Sequence, residues 1–237
     1  MEIYDLKINY QKENIILDKF PLIINWSCNS RQDSYQISIE KDSDIVYKGE
    51  KVVSSGSIIF IENLNLEAET NYILKIEITS DSKVFCGDKK FRTGIFGEFL
   101  GKWISDDRKL EKEEDYYKER RNTILRKAFE LKETPKEAFI YIVGLGYYNL
   151  YVNGKKVGNA ELNTDWTNYS KEIFYDTYNL QEYLVQGENI VFVELGNGWY
   201  NPAPLTLFGK YNLRDVLIIG EPKLLADLKI NLENQSL

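Results

Sequence analysis

The sequence predicts an all-β chain of two successive β-sandwich domains, and three observations carry that expectation. Apolar residues recur with a period of two in short runs, each bounded by Gly, Asn, Asp or Ser, which is how half-buried strands read. Aromatic residues make up 14% of the chain, including 17 tyrosines and 11 phenylalanines, and such side chains suit a pleated surface. The 237 residues suffice for one large or two ordinary domains with a sizeable core. The expected division is residues 1–96 and residues 97–237.

In the first domain, FPLIINWSCNS places Leu22, Ile24, Trp26 and Cys28 on one face by alternation, and SYQISIEKD does the same with Tyr35, Ile37 and Ile39. The runs DIVYKGEKV, SIIFIENL, NYILKIEIT and KKFRTG follow as further short strands, a rhythm that suits a sandwich. Within LEAETNY, the residues Leu66, Thr70 and Tyr72 resemble the tyrosine corner of fibronectin type III domains, with Ala68 where proline is usual. That resemblance implies a structural role, in which Tyr72 hydrogen-bonds to upstream backbone. No site is expected in this half.

The connection GKWISDDRKLEKEEDYYKERR mixes both charges and reads as a short helix or a solvated loop. Its Glu111, Glu113, Glu114 and Asp115 could in principle pair carboxylates, although surface clusters of this kind are rarely catalytic.

Beyond it, TILRKAFELK reads as a strand. EAFIYIVGLG is apolar on both faces, with Phe139, Tyr141 and Val143 on one and Ile140 and Ile142 on the other, so it is expected to be covered on both. YYNLYVNGKKVG is a hairpin in which Asn153-Gly154 supplies the positive-φ pair of a type I′ turn, and Asn153 is expected to be a turn residue only. Gly144 and Gly146 break or bulge the preceding strand. KEIFYDTYNL is a strand, and NLQEYLVQG a helix of one to two turns. Asn179 caps that helix, Leu180, Tyr183 and Leu184 face inward, and Gly187 ends it. ENIVFVELG and LLADLKINLE are the last strands. DLKINLENQSL stops within what reads as a hairpin, which suggests a piece of something longer, truncated at the end of the second domain.

Composition narrows the chemistry. With no histidine, Ser-His-Asp and Cys-His catalysis are excluded, and Cys28 and Cys86 are too few for a zinc set. Catalysis would fall to carboxylates, and a metal site to oxygen ligands, hence calcium. The net charge of -7 argues against nucleic acid or an anionic membrane as partner. MEIYDLKINYQKENIIL has no basic segment followed by an apolar one, and no run is long enough to span a membrane, so the expectation is a cytoplasmic protein. Cys28 and Cys86 have no CxxC spacing; a disulfide between them is one reading, and buried thiols are the preferred one.

Three linked motifs make the second half specific: AFIYIVGLGYYNLYVNGKKVG, ELNTDWTNYSKEIFYDTYNL and GENIVFVELGNGWYN. In order and spacing, from Gly101 to Tyr200, they resemble the N-terminal region of bacterial α-L-rhamnosidases, glycoside hydrolase family 78. VNG hairpins with GEN also occur in the sugar-binding domains of family 2 glycosidases, and the pairing of TDWTNY with LGNGWY is what favours rhamnosidases. Asn163-Thr164-Asp165 replaces the family's usual x-Pro-Gly before Trp166, and Asn159 stands where aspartate is common.

The resemblance implies a galactose-binding-like jelly roll after a fibronectin type III-like sandwich. It also implies a non-catalytic part of an enzyme that releases terminal L-rhamnose, the bond being cleaved in an α/α barrel further along the polypeptide. The partners implied are an L-rhamnose-containing glycan and that catalytic domain. Two loops carry candidate binding residues: Asn159, Asn163 and Trp166 in one, Asn197, Trp199, Tyr200 and Asn201 in the other. Amides can satisfy sugar hydroxyls while an indole covers the apolar ring face. If calcium takes part, as in some domains of this type, Glu161 and Asp165 would be its donors. The competing reading makes Trp166 and Trp199 core plugs, the asparagines turn formers, and the loops a surface packed on the catalytic domain. A free-standing carbohydrate-binding module and the sugar-binding domain of a family 2 glycosidase are the functional alternatives.

Overall fold

The computed structural model describes residues 2–106, 118, 121–203, 206–207 and 211–232. The candidate carboxylates Glu111, Glu113, Glu114 and Asp115 lie outside the described residues. The chain is all-β and forms two compact units, Met1–Glu98 and Phe99–Leu237.

The first unit holds β1 (Ile3–Ile8), β2 (Ile16–Leu17), β3 (Leu22–Cys28), β4 (Ser34–Lys41), β5 (Asp44–Lys48), β6 (Val52–Val53), β7 (Ile58–Ile61), β8 (Asn71–Ser80) and β9 (Lys83–Thr93). One sheet runs β1-β3-β7 and the other β2-β9-β8-β4-β5, with β6 beside β4. The alternation does what it predicts. Leu22, Ile24 and Trp26 from one sheet share a core with Tyr35, Ile37, Ile39, Leu74, Ile76 and Ile78 from the other. Each aliphatic side chain fully removed from water there contributes about 1.5–3 kcal/mol. Burying Trp26 costs nothing in unmet polarity, because its Nε1 donates to Gln32 Oε1 at 2.9 Å. The Tyr72 hydroxyl accepts from the Glu67 amide at 2.9 Å, the upstream backbone bond expected of a corner tyrosine. The cysteines depart from expectation. Cys86 is exposed and Cys28 only half-buried, because Cys86 sits on the solvent face of β9.

The second unit holds β10 (Thr123–Leu131), β11 (Glu137–Leu145), β12 (Tyr147–Val152), β13 (Lys155–Lys156), β14 (Asp176–Asn179), β15 (Gly187–Gly196), β16 (Thr206–Leu207), β17 (Tyr211–Asn212), α1 (Leu213–Val216) and β18 (Lys223–Asn231). Its sheets run β10-β15-β12-β13 and β14-β11-β18. Ile140 and Ile142 of β11 point into a core with Leu150, Val152, Val193 and Leu195, while Tyr141 and Val143 on the other face are buried as well. The strand is covered on both sides, as its composition predicts.

Asn153 and Gly154 take positive φ values of 50° and 79°, forming the two-residue turn. Asn153 does more than turn the chain. Its Nδ2 donates to the Tyr183 carbonyl and to Asn189 Oδ1, both at 2.9 Å, and its Oδ1 accepts from the Ile190 amide at 2.8 Å. The expected helix after Asn179 is a single turn, in which the Leu180 carbonyl accepts from the amides of Tyr183 and Leu184. Asn179 does cap it, through Gln181 at 2.9 Å. A second turn does not form because the Asn189 side chain takes the backbone groups it would need, bonding Val185 N, Val185 O and Gly187 O. The strand expected over KEIFYDTYNL begins only at Asp176, since a tight turn ties Lys171 and Glu172 to the Asn168 carbonyl first.

Candidate functional site

Glycines bring the two candidate loops together. A Cβ on Gly146 (φ 109°) would lie 2.3 Å from the Gly196 carbonyl oxygen, and one on Gly198 would lie 2.9 Å from the Gly146 backbone. The β11–β12 corner and the end of β15 therefore touch backbone to backbone, a contact open only to glycine. On the other side of that corner, the Tyr148 amide donates to the Asn163 carbonyl at 2.9 Å. The loop through Trp166 and the loop through Trp199 are thus anchored to one corner at one end of the unit.

The result is an aromatic surface. The Trp166 and Trp199 rings lie 6.2 Å apart, tilted by 41°. They are 54% and 43% exposed, so they are not core plugs: the loops hold the indoles outside both sheets. Behind them Tyr200 is buried, with Tyr169 edge-on at 5.5 Å. Lys223 Nζ lies 5.7 Å from the centre of the Tyr200 ring and 5.3 Å from that of Trp103.

The amides divide. Asn163 and Asn201 are buried, and Arg214 Nη1 holds Asn201 Oδ1 and the Pro202 carbonyl, each at 2.8 Å. Asn197 receives a weaker bond from Asn201 at 3.4 Å and lines a small polar cavity of about 30 Å³ with Asp106, Arg121, Thr123 and Glu221. That is room for about one water. Asn159 is exposed on the loop.

Of the two acidic candidates, Asp165 is exposed and Glu161 faces Lys156 at 3.2 Å. No group of three or more His, Cys, Asp or Glu is poised around a metal position among the described residues. A calcium ion here would draw on backbone carbonyls beyond those two carboxylates.

One functional group escaped the sequence reading. Asp176 Oδ2 accepts from the Tyr148 hydroxyl at 2.6 Å, and the Thr164 hydroxyl is a second partner. Burial pushes the Asp176 carboxyl above its ordinary range despite those bonds, and burial beside Asp176 pushes the Tyr148 hydroxyl up. Asp176 thereby anchors the residues that lead into Trp166. Its position at the start of a strand gives no signal of this, since the partners are 28 and 12 positions away in the chain.

Residues 133–237 match the family model described as alpha-L-rhamnosidase N-terminal domain. An α-L-rhamnosidase of Formosa agariphila is 28% identical over 210 residues, covering 75% of this chain and 22% of that protein. The solved α-L-rhamnosidase from Dictyoglumus thermophilum covers the whole chain with a TM-score of 0.78 and 25% identity, and this chain spans 28% of it. The Streptomyces avermitilis α-L-rhamnosidase complexed with L-rhamnose shares the fold, with a TM-score of 0.80 at 14% identity, over 100% of this chain and 40% of that one. The chain therefore spans between 22% and 40% of the lengths of these relatives.

Proposed function

We propose that this chain, an N-terminal region of the α-L-rhamnosidase kind, is a non-catalytic accessory part that grips carbohydrate and braces a catalytic domain of the same polypeptide. The enzyme it would serve is a glycoside hydrolase releasing terminal L-rhamnose. The observation that carries the binding half of this reading is the exposed Trp166–Trp199 pair, held in place by a glycine-built corner. Leaving two indoles about half in water forgoes burial that a core would reward. A saccharide returns it, because the apolar face of a pyranose covers an indole while polar groups nearby meet its hydroxyls.

Isothermal calorimetry of the purified chain with L-rhamnose and a rhamnose disaccharide, with calcium and with chelator, tests this. Binding is expected, and Trp166→Ala or Trp199→Ala should each weaken it about tenfold, on the order of 1.4 kcal/mol. Absence of heat with every saccharide would leave the bracing role alone.

A further inference from the structure

We propose that Lys223 makes the aromatic end of the second unit selective for an anionic saccharide, one bearing a carboxylate or a sulfate ester beside its apolar face. The inference rests on the carbohydrate reading and adds the charge of the ligand to it.

The placement of Lys223 follows from register. Ile104 and Leu224 exchange both backbone hydrogen bonds at 2.8 Å in an antiparallel bridge, which sets Trp103 and Lys223 at diagonal positions on one face across that bridge. On the other side, the Gly220 amide donates to the Tyr200 carbonyl at 2.9 Å, and the absence of a Cβ on Gly220 leaves room for the Tyr200 ring. The ammonium is thus held near two rings, and Tyr200 directly follows Trp199 of the exposed pair. Rings attract a cation without neutralising it.

The Asp227 carboxylate nearby is engaged elsewhere, accepting from the Leu100 and Gly101 amides at 2.7 and 2.8 Å. Among the described residues Lys223 has no carboxylate partner. Arg214 brings a second positive charge to the far end of the same loop, its Nη1 bonding Asn201 and Pro202. A neutral sugar gains little from these charges. An anionic one gains a charge-assisted hydrogen bond in a partly desolvated setting.

The test is calorimetry of the full 237-residue chain with three probes: a rhamnose disaccharide, the same disaccharide bearing a uronic acid residue, and the same bearing a sulfate ester. The acidic probes should bind at least about tenfold more tightly at low salt. Lys223→Gln should erase that preference and Lys223→Arg should keep it, with thermal melts confirming that both variants fold. Preference for only one acidic probe supports the proposal and names the anion. Equal binding of all three probes, or a preference that survives Lys223→Gln, overturns it while leaving the carbohydrate reading intact. Failure of every probe to bind overturns both.

Discussion

Asp176 shows how one side chain ties stability to pH. Burial raises its folded-state pKa above the ordinary 3.8, so between that value and the folded one the native chain binds more protons than the unfolded chain. The contribution of this group is full below the ordinary carboxylate range and is lost as pH rises through the folded value. Denaturation in urea from pH 4 to pH 8 should therefore show the wild type losing stability in a window where Asp176→Asn stays flatter. Tyr148 keeps a hydrogen-bond acceptor in that variant. The same scale marks what the sequence could not reveal. Trp166 and Trp199 carry the letters of a core plug and of a sugar platform alike. Their exposure is decided by remote contacts, the Tyr148–Asn163 bond and the meeting of Gly146 with Gly196 and Gly198.

Elements were more legible where a local rule suffices. Alternation placed Leu22, Ile24, Trp26, Tyr35, Ile37 and Ile39 in the core, the doubly apolar run marked β11 as covered on both faces, and Asn153-Gly154 marked the hairpin. The reading left the length of the helix after Asn179 open at one to two turns, and a side chain that competes for backbone groups decides it. Asn189 is fully buried and holds the helix to one turn, the shorter of the expected lengths, while joining that turn to the hairpin through Asn153. Asn189→Ala strands several of these groups at once and is expected to cost about 2–4 kcal/mol, measured as a lowered urea midpoint with unchanged slope. A loss below about 0.5 kcal/mol would mean water replaces those bonds.

At the scale of the molecule, each unit closes its own hydrophobic core between two sheets. Retaining and inverting glycoside hydrolysis both require two carboxyl groups flanking the scissile bond, and buried Asp176 is committed to Tyr148. The purified chain is expected to release no L-rhamnose from an aryl α-L-rhamnoside; turnover that survives contaminant controls would overturn the accessory role. The chain's four tryptophans divide unevenly, with Trp26 sealed in the first unit and Trp103, Trp166 and Trp199 in partial contact with water in the second. Their fluorescence is therefore a built-in pair of reporters: a blue-shifted emission from Trp26 that follows melting of the first core, and a red-shifted, quenchable emission that senses what arrives at the indoles of the second unit.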